Sequence, residues 1–138
     1  MSHPAQAVAL TCIDFRFRKA LHDFFENELS IYDIDHKADG GGVKMINQEG
    51  PIRDWIFQNF DIAFNLHGVN RVILVNHQDC GAYGGSKAFS SLEDEISQQE
   101  LQLRQATSII NAKYPDKQVE AYLALLDSNS KVSFKKIV

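Results

Sequence analysis

The stretch RVILVNH at residues 71–77, with QDCGAYGGS at 78–86 directly behind it, decides how this chain reads. Val72, Ile73, Leu74 and Val75 form an apolar run that is continuous rather than alternating. A strand of that kind is covered on both faces, as the inner strands of a parallel sheet are. The glycine-rich segment behind it is a strand-to-helix connection. Residues 7–13, AVALTCI, repeat the pattern in shorter form, as a buried strand that ends in a cysteine.

The remaining elements follow outward from these two strands. Phe17, Leu21, Phe24, Phe25 and Leu29 recur at helical spacing and predict an amphipathic helix over about 17–29. IYDIDHK at 31–37 alternates weakly as a strand, and ADGGG at 38–42 is a loop. Gly50-Pro51 opens a helix, with proline in the first turn, where it loses no hydrogen bond. Trp55, Ile56, Phe57, Phe60, Ile62, Ala63, Phe64 and Leu66 cover more than one stripe of it, which predicts deep burial or a subunit interface. Leu92, Ile96, Leu103, Ala106 and Ile110 mark a long helix over about 92–112, with Ser91–Glu95 as a solvated acidic first turn. VEAYLALL at 119–126 and KVSFKKI at 131–137 are strands joined by the turn DSNS. The order predicts an α/β fold: a mostly parallel sheet, order around 2-1-3-4, flanked by helices, with an antiparallel strand at the C-terminal end.

The 138 residues fit a single domain spanning 1–138. Lys and Arg number 14 against 18 Asp and Glu, a net charge of −4 without the basic excess that nucleic-acid or anionic-membrane binding requires. No uninterrupted apolar run approaches the ~18 residues of a membrane span. MSHPAQAVALTCIDF at the start has no cationic head, clean apolar stretch or cleavage site. The expectation is a soluble, cytoplasmic protein. Its two cysteines are too few for a disulfide framework.

Those cysteines carry the chemistry. An isolated cysteine is most often a small buried apolar residue, and an exposed Asp–Arg pair most often an ordinary ion pair. Here, however, both cysteines stand at strand ends. Cys12 begins Cys12-Ile13-Asp14-Phe15-Arg16, and in an extended segment residues 12, 14 and 16 share one side. His77-Gln78-Asp79-Cys80 has the spacing of two metal ligands in a turn. In an open sheet of order 2-1-3, the carboxyl ends of the first and third strands form the crevice where ligands bind. Cys12, His77 and Cys80 converge there. Two thiolates and one imidazole suit Zn²⁺ and leave its fourth tetrahedral position open, the catalytic pattern. Asp79 reads equally as a helix-start carboxylate or as a support of the ligands, and His36 as a candidate proton shuttle. Cys12 and Arg16 lie too close for a phosphatase loop, and Gly40-Gly41-Gly42 lacks a phosphate-loop fingerprint.

Cys-x-Asp-x-Arg at a first strand and His-x-x-Cys-Gly after a later aliphatic strand together resemble the β-class carbonic anhydrases. The separation of Cys12 and His77, with a glycine-rich loop and a helix between them, and the closing strand and hairpin at 119–137, are similar too. The resemblance implies that Cys12, His77 and Cys80 ligate zinc and that Asp14 and Arg16 form the dyad beside the open coordination position. It implies reversible hydration of carbon dioxide to bicarbonate by zinc-bound hydroxide, in a homodimer or a dimer of dimers. Gly41, Gly42 and Gly81 are the backbone expected beside the substrate, and the glycine-rich turn as a whole, Gly84 and Gly85 included, offers N–H groups for an anion.

Three features depart from that family. Ala38-Asp39-Gly40-Gly41-Gly42 stands where Ala-Gly-Asn is usual, Asn76 stands where glycine usually precedes the histidine, and only about seven residues precede the first strand. Two further readings use the same residues: a zinc hydrolase of carbonyl sulfide or carbon disulfide, and a zinc-stabilised binding or regulatory domain without turnover. Two thiolates neutralise the Zn²⁺ charge, which makes the metal a weaker acidifier than one held by three imidazoles and predicts activity that rises toward alkaline pH.

Overall fold

The computed structural model describes residues 3–138. Its regular elements are β1 (Ala7–Thr11), α1 (Arg18–Asp23), β2 (Ile34–Ala38), α2 (Pro51–Leu66), β3 (Arg71–His77), α3 (Leu92–Lys113), β4 (Gln118–Leu126) and β5 (Val132–Lys136). One sheet runs β2-β1-β3-β4-β5. Its first four strands are parallel, and β5 closes the edge antiparallel to β4. The predicted order stands, with β5 beyond β4.

Strand alternation sorts the core into two layers. Val8, Leu10, Val72, Leu74, Ala121 and Leu123 point to α2 and α3, while Ala7, Ala9, Ile73, Val75, Tyr122 and Ala124 point to α1. Pairing in register, Ala9 beside Ile73 and Leu10 beside Leu74, keeps each layer continuous across the sheet. Every β1 residue is buried, as is β3 from Val72 onward. Fully burying each large aliphatic side chain stabilises the fold by about 1.5–3 kcal/mol.

The segment 15–28 is not the single helix its periodicity predicts. A 3₁₀ turn at Phe15–Phe17 leads into α1, and a π turn at Phe24–Glu28 ends it. The wider turn rotates successive side chains by a smaller angle. Phe24 and Phe25, neighbours in sequence, are accordingly both buried over the small Ala7 and Ala9. Phe24 stacks on Phe134, with ring centroids 4.0 Å apart.

On the other face, α2 buries Ile56, Phe57, Phe60, Ala63 and Phe64. Its second apolar stripe, Ile52, Trp55, Ile62 and Leu66, points outward, each residue 46–60% exposed. Among the described residues no helix is long and apolar enough to cross a membrane. The connections after β1 and β3 leave toward opposite layers, and the carboxyl ends of the two strands open a cleft between them.

Candidate metal centre

After Thr11 the chain leaves the sheet, and Asp14 caps the 3₁₀ turn by accepting from the Arg16 backbone N–H at 2.9 Å. Residues 12–16 are therefore not extended, and period-two alternation does not bring their side chains together. The turn does so instead. Arg16 folds back on Asp14, with Nη2 donating to Oδ2 at 2.7 Å and Nε to Oδ1 at 3.1 Å. A short carboxylate prefers to satisfy free backbone N–H groups in such a turn, which is why the capping geometry wins over extension. The same turn sends Phe17 inward, its ring 4.2 Å from that of His77. Ile13 and Phe15 are left at the cleft rim, 68% and 84% exposed.

His77 ends β3 and is 3% exposed. Its Nδ1 lies 2.7 Å from the Gln78 carbonyl oxygen, which can only accept, so the ring proton sits on Nδ1. Nε2 is buried with no hydrogen-bond partner. The orphan is aimed at the two sulfurs: the ligating atoms of Cys12, His77 and Cys80 all lie within 4.8 Å of one another. Two sulfurs each about 2.3 Å from a zinc ion at a tetrahedral angle stand roughly 3.8 Å apart. Cys12 Sγ and Cys80 Sγ are 4.0 Å apart. The donor set, its spacing and the unpartnered imidazole nitrogen fit a tetrahedral thiophilic metal.

Electrostatics agree with that fit. The Cys80 thiol, helped by His77 and the Gly41 N–H, pulls the Cys12 thiol well below its ordinary range against the opposing effect of burial. Cys80 is pushed up, first by Cys12 and then by burial. A metal that takes both sulfurs as thiolates must displace whatever proton lies between them. Asp14 is held below the usual carboxylate range, above all by its hydrogen bond from Arg16. Its Oδ2 lies 3.7 Å from His77 Nε2, so this ionised carboxylate borders the donor cluster.

The glycine loop after β2 forms the opposite wall. The Gly41 N–H donates to Cys12 Sγ at 3.4 Å, and at φ +89° a Cβ on Gly41 would come to 3.0 Å from the Ala82 and Lys44 Cβ atoms. Gly41 and Gly81 line a cleft of about 930 Å³ together with Cys12, Asp14, Arg16 and Cys80. Gly42 does not line it. At φ +57° it is buried behind the wall, where a Cβ would come within 2.4 Å of Asn76 Oδ1. Asn76, 1% exposed, fills that space, accepts from the Val43 N–H at 3.0 Å and donates to Gln99 Oε1 at 2.7 Å. The loop lacks a side chain at 42, and the strand supplies an amide in its place.

Gly84 and Gly85 shape the turn. Their N–H groups donate to the Gly81 and Cys80 carbonyls, at 3.0 and 2.9 Å, so they are not free to receive an anion. His36 bonds Thr11 Oγ1 at 2.7 Å through Nε2 and does not line the cleft. Asp79 engages Arg16 and also accepts the N–H of Ser86, the first residue of the 3₁₀ turn Ser86–Ala88, so it serves both readings at once. Sequence reasoning missed Glu95 and Gln99, which are buried at 2% and 1% exposure and not solvated. A signal existed: residues 95, 99, 103, 106 and 110 form one helical stripe, and its last three members are apolar.

Comparison with known proteins agrees with this fold. A family model described as "Putative carbonic anhydrase" matches residues 2–134. An uncharacterized protein of Rickettsia conorii is 27% identical over 131 residues, covering 89% of this chain and 69% of its own. The carbonic anhydrase of Streptococcus mutans superposes with a TM-score of 0.66 at 14% identity, over 99% of this chain and 84% of that one. A β-carbonic anhydrase of Trichomonas vaginalis gives 0.62 at 13% identity, over 100% and 85%. A tetrameric β-carbonic anhydrase of Sordaria macrospora gives 0.61 at 12% identity, over 96% and 81%. With nearly its whole length inside the family model and its sheet arranged as in the β-class enzymes, the chain belongs to the carbonic anhydrase family as a divergent member.

Proposed function

We propose that this chain, as a single domain, catalyses the reversible hydration of carbon dioxide to bicarbonate with Zn²⁺ held by Cys12, His77 and Cys80. The observation that carries this reading is the buried, unpartnered His77 Nε2, which shares a 4.8 Å cluster with both sulfurs beside the ionised Asp14. Zinc, when bound, supplies a Lewis acid that brings the pKa of water down toward about 7.

The chain's own residues do the rest. Asp14, ionised and acceptor-only, takes a hydrogen bond from the nucleophile and so aims its lone pair at the substrate carbon. Arg16 keeps Asp14 ionised and fixes its orientation through two parallel N–H donors. Gly41 and Gly81 flank the substrate with backbone and leave room where a side chain would crowd it. Ile13 and Phe15 give the mouth of the cleft an apolar rim suited to an uncharged substrate. Those exposed residues, with the outward stripe of α2, also support a homo-oligomer, and the absence of a basic excess supports a small-molecule substrate rather than a nucleic acid or membrane partner.

Stopped-flow hydration by protein of known zinc content, at near-neutral and alkaline pH, tests this. Hydration well above buffer, faster at alkaline pH, is expected. No hydration by fully zinc-loaded protein at either pH overturns the reading.

A further inference from the structure

α3 opens with three acids, and Glu95 alone among them is fully buried. Both of its partners are neutral donors. Oε2 accepts the Asp79 backbone N–H at 2.7 Å, and Oε1 accepts the Ser86 hydroxyl at 2.8 Å. Removing a carboxylate from water is expensive unless its lone pairs are satisfied, so two short hydrogen bonds at this spot have a structural purpose. The N-terminal turn of α3 adds a favourable dipole.

Asp79 and Ser86 are the two ends of the loop that carries Cys80. Asp79 lies two residues after His77 and one before Cys80, at φ +59°, a left-handed conformation uncommon outside glycine. Its side chain closes the loop by accepting the Ser86 N–H at 2.8 Å through Oδ1. Asp79 also grips Arg16 twice: Nη1 donates to Oδ2 at 3.0 Å and Nη2 to the carbonyl oxygen at 2.9 Å. The guanidinium therefore lies between two acids, Asp14 and Asp79, both of which line the cleft. A chain of contacts runs from Glu95 through Asp79 to Cys80 on one branch, and through Arg16 to Asp14 on the other.

We propose that Glu95 is a positioning residue of the metal centre: bound to Asp79 and Ser86 at the two ends of the ligand loop, it sets the place of Cys80 and, through Arg16, the direction of Asp14. Its kinetic consequence rests on the function proposed above, whereas its effect on the metal does not.

Full-length protein and its Glu95→Ala, Glu95→Gln and Ser86→Ala variants would be loaded with Co²⁺ for absorption spectra and with zinc for release to a chelator. Outer partners of metal ligands typically control affinity by about 10–100-fold. Glu95→Ala is expected to shift the cobalt ligand-field bands and speed zinc release by roughly that factor. In carbon dioxide hydration its kcat should fall more than its KM rises. Glu95→Gln should keep the cobalt spectrum, because the amide oxygen still accepts the Asp79 N–H while the amide nitrogen donates to the Ser86 oxygen. If Glu95→Ala fails to fold, Ser86→Ala, which removes one of the two partners, should show the smaller shift in the same direction. An unaltered cobalt spectrum and zinc release in whichever of these two variants folds, with only a lower melting temperature, overturns the proposal. If the unsubstituted zinc protein hydrates no carbon dioxide, the proposed function falls, and the cobalt and zinc measurements still decide the role of Glu95.

Discussion

The exits of β1 and β3 bring ligands to the same point by opposite means. After β1 the chain organises itself: Asp14 caps the turn that follows it, Arg16 bonds the cap, and Phe17 anchors the far end. After β3 the loop is held from behind by buried polar groups of α3, Glu95 on Asp79 and Ser86, and Gln99 on Asn76. The first exit presents an exposed guanidinium and two exposed apolar side chains, and the second presents buried donors. Short-range hydrogen bonds suffice where the side chains must reach solvent and substrate. Long-range buried ones are needed where two ligands must stay fixed while their loop carries strained backbone.

The contrast breaks most visibly at the ligands. His77→Ala or Cys80→Ala should reduce zinc affinity by on the order of a thousandfold or more, beyond the 10–100-fold typical of outer partners. Elemental analysis after desalting should find almost no zinc in either variant; full zinc occupancy would remove the residue from the ligand set. At the other exit, Asp14→Asn should leave the zinc content unchanged and lower hydration turnover by about 10²–10⁴-fold. A variant that instead loses zinc would make Asp14 a ligand rather than an orienting base.

A subtler test lies between the two exits. Asn76→Leu leaves the Val43 N–H and the Gln99 Oε1 without their Asn76 partner and should destabilise the protein by about 1–3 kcal/mol in urea unfolding. Stability equal to that of the unsubstituted chain would show that Asn76 is not what holds the glycine loop.

The smallest effect is at acid pH. The Asp14 carboxyl is held down by Arg16 first of all, and Asp79 by the Ser86 N–H and then by Arg16. A carboxylate depressed in the folded state contributes stability above its unfolded pKa of about 3.9 and loses it as the pH falls through the lower folded value. The unfolding curves of the native protein and Arg16→Gln should therefore differ near neutral pH and converge below the ordinary carboxylate range. A difference that persists or grows in acid would contradict the sign.

Much of this was legible from residue order alone. The aliphatic run at 72–75 announces a doubly covered strand, and Cys12, His77 and Cys80 follow strand ends whose adjacency is a rule of parallel sheets. The pairing of Asp14 with Arg16 was also expected, although a capped turn and not strand alternation produces it. Helical periodicity over 17–29 was present too, yet it did not reveal the π turn, because the turn answers to the space above Ala7 and Ala9.

By itself, then, the sequence determined the strand order, the helices on either face and the donors that meet at the carboxyl edge. Each of those depends on local pattern: branched runs, helical spacing, and ligands a turn apart. Only the tertiary structure decided that Glu95 is buried on Asp79 and Ser86, that Asn76 fills the space Gly42 leaves open, and that Arg16 lies between two acids. These are contacts between residues far apart in the chain, and whether a polar group is solvated or buried depends on which neighbour occupies the space beside it.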